Sequence, residues 1–228
     1  MIDKTVKKDP VDIKEVLSRN PLFKGLEDFY IKDFIAIGEV KGWPARTQIV
    51  TEGDMGDAVY FILSGKVNVN LYGEEGREIV VAILTEGDMF GEMSILDNKP
   101  RSANVEAITD IECFVVSKEG FLGYLSRHHR VYTTLLAYFT GRLREATRKI
   151  GGLALLDVCG RIAHTLIGMS KHGDATKEKI ICVERPTHEE LAAMIGSSRE
   201  VVSRALKKMA EEGYIKMEKD RVVLYMHP

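Results

Sequence analysis

The spacing of apolar residues changes character along the chain, and each change predicts a different kind of element. Over residues 12–38 the spacing is helical. Ile13, Val16 and Leu17 share one face, and the period resumes from Leu22 to Ile37 around Pro21 and Gly25. From about 46 to 118 the pattern becomes a series of short β-rich runs: TQIV, AVYFIL, KVNVNLY, EIVVAIL, ANVEAI and IECFVVS. Gly53, Gly56, Gly65, Gly73, Gly76 and Gly87 punctuate them. In KVNVNLY the alternation assigns Val67, Val69 and Leu71 to one face and Asn68, Asn70 and Tyr72 to the other. Short strands with glycine turns at near-regular spacing predict a sandwich or barrel.

Residues 128–153 return to a helical period. Tyr132, Leu136, Phe139, Leu143, Ala146, Ile150 and Leu153 recur at alternating steps of four and three. That is a seam of about three heptads, which favours a helix pairing with another helix. Packing of the same helix onto its own domain is the alternative. Gly151 and Gly152 follow, each less favourable in a helix than alanine by about 1 kcal/mol, and they are the expected hinge. Leu156, Ile162 and Leu166 resume helical spacing, and 179–183 reads as a short strand.

The segment RPTHEELAAMIGSSREVVSRALKKM carries the densest signals. Thr187 with Glu190 and Ser197 with Glu200 are each spaced as a capping box. The first helix ends at Gly196. Two capped helices joined by a short glycine turn predict a helix-turn-helix. On the second helix Val202, Ala205, Leu206 and Met209 face a core, while Arg199, Glu200, Ser203, Arg204 and Lys207 form the opposite stripe. Arginine bridges guanine N7 and O6, and a carboxylate accepts from cytosine N4, so the stripe suits a major groove. A solvated face with an ordinary Glu200–Arg204 pair is the competing reading. KMEKDRVVLY then alternates as two short strands around Glu218, Lys219 and Asp220, a β-hairpin wing.

Composition narrows the class. Apolar residues make up 45% of 228 and charged residues 29%, enough for a packed core. The N-terminus lacks the apolar run of a signal peptide, and no run approaches a membrane span. Three scattered cysteines, Cys113, Cys159 and Cys182, fit buried reduced thiols in a cytoplasm better than disulfides or a metal cluster. The net charge of −2 is not that of a general nucleic-acid binder. Against it, residues 198–208 set Arg199, Arg204, Lys207 and Lys208 against Glu200 alone, the mark of a specific contact.

Enzyme motifs fail on inspection. His188-Glu189-Glu190 lacks the second histidine of a zinc hydrolase, Gly65-Lys66 lacks the upstream glycine of a P-loop, and no G-x-S-x-G occurs. The expectation is a protein that is not an enzyme and carries no metal.

One further stretch, FGEMSILDNKPRSANV, places Glu92 beside Gly91 and sets Arg101 and Ser102 nine and ten positions on, followed by Ala103. With this cassette in view, residues 15–228 resemble the CRP/FNR family of bacterial transcription regulators. FGEMSILDNKPRSA is similar to the family's phosphate-binding cassette, LLDVCGRIAHTL to the helix opening its DNA-binding domain, and GSSREVVSRAL to its recognition helix. The resemblance implies an α+β fold: an N-terminal β-roll of jelly-roll type over residues 1–127, a long dimerisation helix and hinge over 128–154, and a C-terminal winged helix-turn-helix over 155–228.

It also implies roles. Arg101 would pair with a cyclic phosphate, Ser102 would hydrogen-bond it, and Glu92 would accept from the ribose 2′-hydroxyl. Gly91, Met93 and Ala103 would complete the cassette, and Arg142 would neutralise Glu92. These residue types suit that chemistry: a buried phosphate diester needs a fixed cation and donors, and a ribose hydroxyl needs an acceptor. The competing reading of the cassette is a surface loop with an Arg–Glu pair worth under about 1 kcal/mol.

The family's two base-contacting positions on the long helix are Ala146 and Thr147 here. Ala146 lies on the seam and offers no side-chain hydrogen bond, so Thr147 is left part of that role. Cyclic AMP is the first expectation, with cyclic GMP or an unliganded, always-active form as alternatives. The dimer seam is Leu136, Phe139, Leu143, Ala146, Ile150 and Leu153, and the DNA contacts are Ser198, Arg199, Glu200, Ser203, Arg204 and Lys207. Arg199, Glu200 and Arg204 match the cyclic AMP-responsive type, while Glu200, Ser203 and Arg204 also match the E-x-x-S-R pattern of the oxygen-sensing branch. A TGTGA-like half-site is expected, read by a homodimer that contacts double-stranded DNA and RNA polymerase but no membrane. Two alternatives are a haem or redox sensor, for which only His128 and His129 offer ligands and no cysteine precedes Cys113, and a nucleotide module regulating a protein partner.

Overall fold

The computed structural model describes residues 12–73, 78–170 and 180–225. The turn expected at Gly76 and residues 1–11 of the expected first domain lie outside them. The packing divides the described residues into two units. The first ends at Arg142 and the second begins at Leu143, with the stretch from Tyr72 to Val80 grouped with the second.

The first unit opens with α1 (Ile13–Arg19) and α2 (Asp28–Ile35), where the helical spacing placed them. Asp12 caps α1 by accepting from the amides of Lys14 and Glu15. Eight strands follow: β1 (Gly38–Trp43), β2 (Gln48–Val50), β3 (Ala58–Ser64), β4 (Lys66–Tyr72), β5 (Glu78–Thr85), β6 (Met89–Phe90), β7 (Asn104–Ala107) and β8 (Ile111–Ser117). The short helix α3 (Glu92–Leu96) lies between β6 and β7. The strands form two four-stranded sheets, ordered β1-β8-β3-β6 and β2-β7-β4-β5. β1 escaped the sequence reading, which began the strands at 46. It is an edge strand, largely exposed, so no apolar alternation marks it.

The run AVYFIL has no clean alternation because β3 is covered on both faces. Val59, Phe61 and Leu63 join a cluster with α1 and α2, while Ala58 and Ile62 join the cluster between the sheets. β8 divides the same way, with Phe114 and Val116 on one side and Cys113 and Val115 on the other. Phe34 sits at the centre of the first cluster, its ring 4.8 Å from Tyr124, 5.0 Å from Phe23 and 5.1 Å from Phe61. In β4 the expected alternation fails at the far end. Asn70 is fully buried opposite the buried Asn104, because both faces of the strand are covered there.

Ser117 caps α4 (Lys118–Arg127), and α5 (His129–Leu155) follows as one helix of 27 residues. Its first half packs on the roll through Val131, Leu135 and Tyr138, and Phe139 of the expected seam, half-buried, packs against the same cluster. Thr134 Oγ1 donates to the Leu22 carbonyl at 2.6 Å and Tyr138 Oη to the Met89 carbonyl at 3.4 Å, which fixes the helix against the sheet. The seam residues Leu136, Leu143 and Ile150 remain 67%, 68% and 66% exposed in the single chain. Gly151 and Gly152, the expected hinge, lie within the helix, and the break falls at Leu156 and Asp157.

In the second unit Asp157 caps α6 (Val158–Met169), with Gly160 N donating to Asp157 Oδ1 at 2.8 Å. β9 (Ile180–Glu184), α7 (His188–Ile195), α8 (Arg199–Glu211), β10 (Ile215–Met217) and β11 (Arg221–Tyr225) complete it. The strands form one sheet in the order β10-β11-β9, so the expected two-stranded wing gains a third strand. The core joins Ile162 and Leu166 of α6 to Leu191, Ile195, Val202, Leu206 and Leu224. Of the three cysteines only Cys113 is buried, and that burial pushes its thiol up to about 12. Among the described residues no helix is long and apolar enough to cross a membrane.

Candidate functional site

The cassette closes around a turn that only glycine makes cheaply. Gly91 follows β6 with φ +83°, and a Cβ there would lie 2.6 Å from Arg101 Nη1 and 3.1 Å from the Ala58 carbonyl. Backbone bonds also hold Arg101: its N–H donates to the Asp54 carbonyl at 2.8 Å, and the Arg101 carbonyl accepts from Gly53 N–H at 3.0 Å. The guanidinium is buried, with the residue 6% exposed. Nη1 donates to the Gly91 carbonyl at 2.6 Å and Nη2 to the Ala58 carbonyl at 2.9 Å. The Tyr60 ring lies beneath it, 5.8 Å from Cζ, and is itself stacked on Phe90 at 4.8 Å. Among the described residues one carboxylate is bonded to it, Asp57 at 3.4 Å, which stands 87% exposed and neutralises it weakly. A buried cation so placed has the chemistry to receive an anion.

Glu92 opens α3 and is 5% exposed. Burial pushes its carboxyl above the usual carboxylate range, while its own backbone N–H and the charges of Arg142 and Arg101 pull the other way. The expected Glu92–Arg142 ion pair is absent among the described residues. Arg142 acts on Glu92 only as a neighbouring charge, its guanidinium lying 6.0 Å from the centre of the Tyr138 ring on its own helix. Ser102 is exposed, and its hydroxyl donates to Met93 Sδ at 3.7 Å. Gly91, Glu92, Met93, Arg101, Ser102, Ala103 and Arg142 all line one pocket, whose remaining wall includes the apolar Val50, Val69 and Leu84. Ser94, buried at 2%, also lines it and was missed by sequence reasoning. So was the Ala58 carbonyl, which no side-chain pattern reveals.

The pocket-lining residues all belong to the first unit. Thr147 belongs to the second, and its hydroxyl donates to the Leu143 carbonyl of its own helix at 2.9 Å. Ala146 is exposed, and the side chain of Leu153 lies outside the described set. Of the two histidines weighed as haem ligands, His128 stands 3.4 Å from Asp33 with its ring 4.5 Å from Tyr124, while His129 is exposed.

The helix-turn-helix forms as the capping signals required, with one shift. Thr187 and Glu190 make the full capping box of α7, and Gly196 ends that helix in the left-handed region at φ +62°. The cap of α8 is Ser198, not Ser197. Its hydroxyl accepts from Val201 N, so Ser197 and Glu200 form no box. Val202, Ala205, Leu206 and Met209 are buried as expected. Arg199, Glu200, Arg204 and Lys207 are exposed on the opposite side. The backbone amide and Ser198 hold the Glu200 carboxyl below its usual range, with Arg199 and Arg204 adding to the effect. Ser203 is half-buried, and its hydroxyl meets His188 Nδ1 at 2.7 Å.

Comparison with known proteins agrees with both halves. The model of the cyclic nucleotide-binding domain matches residues 40–128, and that of the Crp-like helix-turn-helix domain matches residues 160–226. The chain is 30% identical over 211 residues to the CRP-like cAMP-activated global transcriptional regulator of Mycobacterium tuberculosis, spanning 92% of this chain and 94% of that protein. It is 34% identical over 198 residues to the cyclic AMP receptor protein of Thermus thermophilus, spanning 87% and 89%. The solved structure of the c-di-GMP responsive global regulator CLP of Xanthomonas campestris aligns with a TM-score of 0.75 at 29% identity, covering 88% of this chain and 100% of that one. The chain belongs to the CRP/FNR family of ligand-responsive, DNA-binding transcription regulators, and not to a family of enzymes.

Proposed function

We propose that this protein is a homodimeric regulator that grips palindromic promoter DNA under the control of a cyclic nucleotide, cyclic AMP first. The observation that carries the reading is Arg101: a buried guanidinium, immobilised by two carbonyls and an aromatic ring, lining a pocket that Glu92 also lines. An anionic phosphate meets the cation without reorganisation, a ribose hydroxyl meets the carboxylate, and Val50, Val69 and Leu84 give a ring system an apolar wall. Two relatives described above carry cyclic AMP in their names, which supports that choice. CLP is described as c-di-GMP responsive, which favours a second reading in which that nucleotide takes the pocket.

The homodimer is supported by the exposed seam of Leu136, Leu143 and Ile150. In the dimer the two α8 helices enter successive major grooves, about 34 Å apart. Ser198, Arg199, Glu200, Ser203, Arg204 and Lys207 make the contacts. The regulator acts in the cytoplasm, where promoter DNA and RNA polymerase are its partners. The nucleotide shifts the equilibrium only by its differential affinity for the two packings of the seam, a coupling of about 1–3 kcal/mol.

Calorimetry with cyclic AMP, cyclic GMP and c-di-GMP tests the effector. Saturable binding of cyclic AMP, tighter than the other two, is expected. Heat from c-di-GMP alone moves the reading to the second effector, and no heat from any of the three overturns it. A gel shift on palindromic duplex separates a DNA-binding regulator from a module that serves a protein partner.

A further inference from the structure

Hydroxyls in the middle of a helix ordinarily turn back onto their own backbone. Thr140 and Thr147 of α5 do so, donating to carbonyls four residues earlier at 2.8 and 2.9 Å. Ser203, in the middle of α8, departs from this. Its hydroxyl crosses to the first residue of α7 and meets His188 Nδ1 at 2.7 Å. Both residues are half-buried, so the contact is partly sheltered from competing water. Ser203 also lies between the buried face of α8 and the exposed stripe that carries Arg204 and Lys207.

A free serine hydroxyl donates or accepts as its rotor turns, which makes serine a permissive reader of base edges. Its bond to an imidazole nitrogen narrows that freedom. Where Nδ1 accepts, the hydroxyl hydrogen is committed to the ring and only lone pairs face outward. The side chain is then an acceptor, matched to the amino group of adenine or cytosine. Where Nδ1 carries the proton, one lone pair is committed instead, and the hydrogen and the second lone pair both stay free. Only the accepting nitrogen selects one role.

We propose that His188 is a specificity-setting positioning residue: with Nδ1 accepting, it commits the Ser203 hydroxyl hydrogen and leaves that side chain an acceptor toward one operator base pair. The inference rests on the reading of α8 as the groove-reading helix.

The test is binding of the full-length dimer, with nucleotide present, to palindromic duplexes randomised through both half-sites. Wild type, His188→Ala, His188→Asn, Ser203→Ala and the double variant His188→Ala/Ser203→Ala are compared. His188→Ala is expected to relax base preference at a single symmetric position by roughly five- to tenfold, the weight of about one hydrogen bond. Ser203→Ala relaxes the same position, and the double variant goes no further than either alone. His188→Asn, which keeps a polar group near Nδ1, restores most of the preference. A merely structural role lowers affinity for all duplexes equally and leaves the preference intact. That result in His188→Ala, or additive losses in the double variant, overturns the inference. Should wild type itself select no sequence, the reading of α8 falls first and the inference with it. Thermal unfolding of each variant identifies any that loses its fold, and Ser203→Ala, which removes only one oxygen, still decides the question.

Discussion

At the scale of single residues, the proposed effector pocket is a contrast between two buried charges. Arg101 is fixed by two carbonyls. Glu92 is buried with no direct ion pair among the described residues, and its burial favours the neutral acid. Arg101→Ala removes charge-assisted bonds worth roughly 1.5–3 kcal/mol and weakens nucleotide binding tenfold or more in calorimetry. Glu92 gives a prediction with a definite sign. In the free protein its pKa is raised, and a ribose hydroxyl donating to the ionised form lowers it in the complex, so binding releases a proton. Affinity is therefore full above the raised pKa and falls as the pH drops through it, a trend that Glu92→Gln abolishes. For stability the sign is opposite. A raised folded-state pKa means that stability is highest in acid and declines as the pH rises through the folded value. Glu92→Gln then raises the melting temperature at neutral pH while it weakens binding, and an unchanged or lowered melting temperature contradicts the account. Gly91→Ala forces a Cβ into the left-handed region, about 1–2 kcal/mol, and against Arg101 Nη1, so it loses both stability and affinity.

At the scale of elements, the legible and the illegible parts of the fold separate by physical cause. α7 and α8 were readable because capping and turning leave local signatures: Thr187 with Glu190, and Gly196 in the one conformation glycine favours. The misplacement of the second cap, by one residue, arose because Ser197 and Ser198 are chemically alike and only the backbone decides which hydroxyl faces Val201 N. β1 left no signature, since an exposed edge strand needs no apolar alternation. In α5 the seam was visible, but the stripe of Val131, Leu135 and Tyr138 that holds the helix to the roll was not separated from it. The glycine pair shows only as a local cost: about 1 kcal/mol each lowers helix stability without ending a helix that continues to Leu155. For the candidate site, the cassette residues were legible by spacing. One of the two carbonyls that orient Arg101, that of Ala58, comes from β3, some forty residues away, and no pattern announces it. On α8, Glu200→Ala relaxes preference at one operator position, whereas Lys207→Ala weakens every sequence alike and flattens the salt dependence by about one unit of slope. Uniform loss in both variants refutes direct readout by Glu200.

At the scale of the whole molecule, the proposed coupling runs from the nucleotide to the groove-reading helix through pairing of two copies of α5. Leu136, Leu143 and Ile150 lie on one face of α5, and an uncovered row of large aliphatics at heptad spacing favours a second helix. Leu143→Asp places a charge in that row and gives monomers in sedimentation, with palindrome binding lost. A dimer that survives the substitution places the interface elsewhere. The central claim is that an anion seated on Arg101 changes how tightly the dimer holds its operator. The most direct test is the anisotropy of a labelled palindromic duplex titrated with wild type and with Arg101→Ala, each with and without saturating cyclic AMP. The account predicts that the nucleotide tightens wild-type binding by roughly 5- to 150-fold and leaves Arg101→Ala unmoved. Equal wild-type affinity with and without the nucleotide, or the same response in both proteins, contradicts it.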